Sequence, residues 1–98
     1  MNQYLVDVEV SGALSDDFIS LIPEQREHIN QLMAEGTLSS FSLSLDRTRV
    51  WITINAETED EVKEVIESMP LSEYMKANIY ELAFFNIAGN GLPAISLN

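Results

Sequence analysis

The chain has 98 residues, with five Lys or Arg against sixteen Asp or Glu and a formal net charge of −11. That length gives one domain with a modest core, and that charge repels phosphate backbones and anionic lipid, so neither nucleic acid nor a membrane surface is an expected partner. Cysteine is absent and His28 is the single histidine. Disulfides, thiolate nucleophiles and zinc–cysteine or multi-histidine metal sites therefore drop out, and no cofactor is expected. The first residues read as a strand rather than a signal sequence, and no apolar run approaches the about 18 residues of a membrane span, which predicts a soluble, cytoplasmic protein.

Residues 3–10 alternate, with Tyr4, Val6, Val8 and Val10 on one side and Leu5, Asp7 and Glu9 on the other. Period two over this length predicts a half-buried strand. Ser11-Gly12 breaks it, and Ser15 offers an N-cap ahead of Asp16 and Asp17, which suit the positive end of a helix. Phe18, Leu21, Ile22, Gln25, Ile29, Leu32 and Met33 then recur at helical spacing, with Gly36 as the stop. Pro23 sits inside this helix and predicts a kink or a break into two pieces near Ile22.

A hairpin follows, Leu38–Leu45 and Arg49–Ala56 around Asp46-Arg47. Its register puts Phe41 and Leu43 on one face with Val50, Ile52 and Ile54, and Ser40, Ser42, Ser44, Arg49, Trp51, Thr53 and Asn55 on the other. Thr58-Glu59-Asp60-Glu61 is a capping box opening a second helix to about Ser68, with Val62, Val65, Ile66 and Met69 facing inward. Six acids lie between Glu57 and Glu67 against Lys63 alone, which reads first as a solvated helix face. Pro70 ends that helix, and a last strand is predicted over about 77–85, apolar on both faces except at Glu81.

The order βαββαβ is an α+β, ferredoxin-like arrangement: a four-stranded antiparallel sheet with two helices on one face. Residues 1–86 make the domain, and residues 87–98, too apolar at Leu92, Pro93, Ile95 and Leu97 for an ordinary tail, read as an arm laid across a neighbouring subunit. The helices cover one sheet face. The other carries Leu5, Asp7, Glu9, three serines, Trp51 and Thr53, with Ile79 or Glu81 as candidate additions, and suits closure against a second copy around a small wet cavity.

The segment Met69-Pro70-Leu71-Ser72-Glu73-Tyr74-Met75, with its Pro-Leu-x-x-Tyr-Met pattern leading from the second helix into the last strand, resembles muconolactone isomerase and its relatives in the dimeric α/β-barrel superfamily. The long first helix ending in Gly36 and the apolar C-terminal arm belong to the same resemblance, which covers residues 3–86. It implies two ferredoxin-like units joined sheet to sheet, as a homodimer or a larger ring, and isomerisation of a small unsaturated lactone. A related branch of the superfamily has an Arg-then-His first helix, echoed by Arg26 and His28, but its Asp-Pro-Phe-type segment is replaced here by Met69-Pro70-Leu71.

Such chemistry needs a base to take a proton beside a carbonyl and a route to return it. Asp7 and Glu9, side by side on the open sheet face, are the carboxylate candidates, and His28, at the border of the helix stripe, is the imidazole candidate. Arg26 and Arg49 are scarce cations suited to a substrate carboxylate, Trp51 to a pocket wall, and Ser42 and the Tyr74 hydroxyl to ligand oxygens. The serines lack a histidine–acid arrangement, so nucleophilic serine chemistry is not expected. Two rival readings remain: a non-catalytic small-ligand or assembly module, and a docking domain using the acidic second helix.

Overall fold

The computed structural model describes residues 1–12 and 15–86, so the arm expected at 87–98 lies outside the described residues. Four strands form one sheet in the order β2-β3-β1-β4: β1 (Asn2–Val10), β2 (Leu38–Leu43), β3 (Arg49–Ala56) and β4 (Met75–Glu81), every neighbouring pair antiparallel. The helices α1 (Asp16–Ala34) and α2 (Glu59–Glu67) complete the ferredoxin-like order predicted above. Tyr4, Val6 and Val8 of β1 and Val50, Ile52 and Ile54 of β3 meet Ile29 and Leu32 of α1 and Val62 and Ile66 of α2 in the core. Each such buried aliphatic side chain contributes about 1.5–3 kcal/mol relative to exposure.

Both helices start on the caps that the sequence offers. The Ser15 hydroxyl accepts the Phe18 N–H at 3.2 Å, and the Thr58 hydroxyl accepts the Glu61 N–H at 3.2 Å, while the Glu61 carboxylate takes the Glu57 N–H at 3.0 Å. Gly36, at φ 82°, closes α1: its N–H reaches the Met33 carbonyl at 3.1 Å and the Thr37 N–H reaches that of Leu32 at 3.0 Å.

Three details depart from expectation. The helix does not break at Pro23; α1 runs unbroken through it. The only backbone bond the proline removes is the one to the Ile19 carbonyl, and both residues lie on the exposed face, so the loss falls on the solvent side while the buried stripe stays packed. The first hairpin strand stops at Leu43, because Ser44 and Arg49 close a four-residue loop in which Leu45 is fully exposed.

The last strand is Met75–Glu81, shifted toward the N-terminus of the expected span. Pairing with β1 fixes both ends: Met75 opposes Val10, Glu81 opposes Tyr4, and the last contact is Leu82 N–H to the Gln3 carbonyl. Beyond that point only Asn2 of β1 remains. The same register resolves the strand's two faces. Ile79 opposes Val6 and Glu81 opposes Tyr4 on the helix side, so neither joins the open face; Lys76, Asn78 and Tyr80 do.

Candidate functional site

The open sheet face is built from cross-strand rows. Ser42, Trp51, Asp7 and Asn78 form one; Arg49, Glu9 and Lys76 form the next; Ser40, Thr53, Leu5 and Tyr80 lie on the other side. Ser40 donates to Thr53 at 2.9 Å, which satisfies a threonine only 1% exposed. Asp7 and Glu9 do share this face as expected, but cations stand beside both. Arg49 Nη1 donates to Asp7 Oδ1 at 2.9 Å, and Lys76 sits opposite Glu9. The Asp7 hydrogen bond, followed by the Asp7 charge, raises the Arg49 pKa, so this cation stays protonated. Trp51 is 39% exposed.

His28 lies elsewhere. Its Nε2 is 3.0 Å from Ser68 Oγ, and Ser68 spends its single proton on the Val65 carbonyl at 2.6 Å. The histidine is therefore the donor, through Nε2–H, in the contact that ties α1 to the end of α2. Glu24, Glu27, Gln31 and Pro70 surround it in a shallow depression. His28 and the Asp7–Glu9 pair thus lie on separate layers: the helix layer holds one and the open sheet face the other.

The principal cavity, ≈ 360 Å³, is on the helix side, between α1 and the hairpin end of the sheet. From α1 it takes Phe18, Ile22, Gln25, Arg26, Ile29, Asn30 and Met33, whose spacing of three and four follows one face of the helix. The sheet supplies Val10, Phe41, Leu43, Val50 and Met75, and the β2–β3 loop supplies Arg47. Leu71, from the Pro-Leu segment, completes it. Arg26 and Arg47 are exposed whereas Gln25 is buried, so the charges stand at the mouth and the amide inside.

Of the residues expected to act, Arg26 lines this cavity, and Tyr74 stands behind its wall, edge-on to Phe18 with ring centroids 5.1 Å apart. Ser42, Arg49, Trp51, Asp7 and Glu9 occupy the opposite face. Gln25 and Arg47 were missed by sequence reasoning. A polar residue on the apolar stripe of α1 was the available signal for Gln25; a loop arginine carried none. Among the described residues, no carboxylate or imidazole lines the cavity, and no group of three or more His, Cys, Asp or Glu is placed to hold a metal ion.

Comparison with known families matches residues 3–86 to the muconolactone delta-isomerase family. The chain belongs to that family. It is a family of small-molecule enzymes, and the fold above is its fold. Among solved structures, the chain is similar to 5-chloro-2-hydroxyhydroquinone dehydrochlorinase (TftG) from Burkholderia phenoliruptrix AC1100, in complex with 2,5-dihydroxybenzoquinone. Identity is 18%, the TM-score 0.65, and the match covers 80% of this chain and 90% of that one; at this identity it speaks to fold alone. No curated protein matches the chain. Among the described residues, no helix is long and apolar enough to cross a membrane.

Proposed function

We propose that the cavity under α1 binds a small unsaturated lactone or related cyclic carbonyl compound bearing a carboxylate, and that the protein isomerises it by proton transfer. The observation that carries this reading is the cavity itself, apolar within and flanked by Arg26 and Arg47. A chain of charge −11 repels anions at long range, yet two of its five cations stand at this one mouth. A guanidinium pair there holds a carboxylate through charge-assisted hydrogen bonds while the apolar wall excludes water. Moving a double bond in such a ligand is redox-neutral: a proton leaves the carbon next to the conjugated system and is returned at another.

The base is the missing part, since among the described residues the lining supplies none. Asp7, Glu9 and His28 remain the proposed candidates, and pairing with a second copy through the open sheet face is proposed beside them. The open face favours such an assembly: its cations and acids alternate, so two copies related by a two-fold axis can be self-complementary. The absence of an acid or imidazole from the described lining also favours a second reading, a non-catalytic module that binds the same ligand class.

Incubation with muconolactone in deuterated buffer, followed by NMR, separates the two. Migration of the double bond, reduced about tenfold or more in Arg26→Ala by loss of a charge-assisted bond, supports the isomerase. Its abolition in Asp7→Asn, Glu9→Gln or His28→Ala then identifies the base. Shifts of cavity amides with neither isomerisation nor deuterium uptake select the binding module. Unmoved cavity amides at millimolar ligand rule out both.

A further inference from the structure

We propose that Gln25 is the specificity-determining donor inside the cavity: its amide is locked so that Nε2 presents its N–H groups to a carbonyl or ring oxygen of the ligand. This rests on the cavity being the ligand site. Gln25 is 9% exposed, on the otherwise apolar stripe of α1, where a side-chain amide is costly unless its polar atoms are engaged.

One of those atoms is engaged by a group that permits a single orientation. The Leu71 backbone N–H donates to Gln25 Oε1 at 3.0 Å, a contact across 46 positions of sequence. A backbone N–H only donates, so the oxygen end of the amide faces Leu71 and the nitrogen end faces away from it. After α2 the Ser68 and Met69 N–H groups go to the Glu64 and Ile66 carbonyls and Pro70 has no N–H, so the Leu71 group is the next donor to be met.

Among the described residues, no acceptor reaches Nε2, and no side-chain nitrogen or oxygen is both sealed from solvent and unpaired. The Nε2 group is therefore accessible, and Gln25 lines the cavity. Two recognition elements result. Exposed Arg26 and Arg47 take a carboxylate at the mouth, and the buried, neutral, directional amide takes an uncharged acceptor within. A site that holds out an unpaired donor rejects ligands lacking the matching oxygen more strongly than it gains from those that have it.

The test uses two probes of similar size: muconolactone, and cyclopent-2-enylacetate, which keeps the carboxylate but has neither carbonyl nor ring oxygen. NMR titration of the ¹⁵N-labelled protein gives both affinities and follows the Gln25 side-chain NH₂ pair directly. The wild-type protein should prefer muconolactone by about tenfold, the size expected for one buried hydrogen bond, and only muconolactone should shift the NH₂ pair. Gln25→Glu keeps an acceptor for Leu71 but removes the donors; its added charge weakens both anionic probes alike, so the preference ratio isolates the donor. In Gln25→Glu and Gln25→Met that preference should collapse to about twofold or less once the bond is gone.

Cavity amides that shift while the Gln25 NH₂ pair stays still overturn the assignment of Gln25 alone. Retention of the wild-type preference in either variant does the same. If neither probe moves a cavity amide, the ligand site itself is wrong and the Gln25 assignment falls with it. The wild-type NH₂ measurement decides the matter even where Gln25→Met fails to fold.

Discussion

Arg47 reaches the cavity mouth from a backbone with φ 64°, the left-handed region that favours glycine. The loop that holds it there is tightly tied. Asp46 Oδ1 accepts from the Thr48 hydroxyl at 2.7 Å, the Ser44 hydroxyl at 2.8 Å and the Thr48 N–H at 3.0 Å. These bonds, the Thr48 hydroxyl first, lower the Asp46 pKa to about 2, so the carboxylate stays charged at neutral pH. Such a conformation costs an arginine of order 1 kcal/mol, a strain that a glycine would not carry. Arg47→Gly should therefore raise stability in urea unfolding by about 0.5–1 kcal/mol and at the same time weaken binding of a carboxylate ligand by about tenfold. A variant that is destabilised, or that binds as well as the parent, removes Arg47 from the site. Nothing in the sequence marked this residue, because the value of a loop arginine depends on where the hairpin end falls relative to α1.

At the scale of elements, the start of α1 and the start of β4 are built against each other. The Ser11 N–H donates to the Tyr74 carbonyl at 3.0 Å, and Gly12, at φ 73°, lies so close that a Cβ there would stand 2.9 Å from Tyr74 Cδ1. Tyr74 in turn meets the Phe18 ring edge-on, and Phe18 is a cavity wall. Gly12→Ala adds both a steric clash and an unfavourable backbone angle, and should cost about 2–3 kcal/mol while also weakening ligand binding through the displaced Phe18. Ser15→Ala removes only the cap and should cost about 1 kcal/mol with a smaller effect on affinity. Urea denaturation combined with ligand titration compares the two, and equal losses of affinity would break the proposed link through Tyr74. The helix and its cap were legible from local spacing. The uninterrupted passage through Pro23 was not, since it depends on which face of α1 the tertiary packing leaves to water.

For the whole molecule, the open sheet face is a large surface left uncovered among the described residues, with Trp51 and the 55%-exposed Tyr80 as its aromatic members there. If two copies meet there, Trp51→Glu places a carboxylate in the interface. Sedimentation should then give a monomer whose far-UV circular dichroism is unchanged. Two bodies of charge −11 also repel each other, so the contacts at that face act against a net repulsion that salt screens. An unchanged mass in Trp51→Glu would place the interface elsewhere. The composition anticipated the repulsion. The hairpin pattern placed Trp51 on the open face, whereas Tyr80 was assigned to it only by the register of β4 with β1.

The sequence by itself determined the order of elements, because alternation in β1 and the hairpin, helical spacing in α1 and α2, and the caps at Ser15 and Thr58 are all local signals. It also marked the Pro70-Leu71 segment that carries the family resemblance, and Arg26 as a scarce cation. Only the tertiary structure decided where a ligand can enter. The cavity draws on residues from Val10 to Met75, and the amide of Gln25 is oriented by a backbone group 46 positions away. Side-chain periodicity encodes which face of an element turns inward, whereas a cavity is the volume that packed elements fail to fill, and no local pattern encodes that.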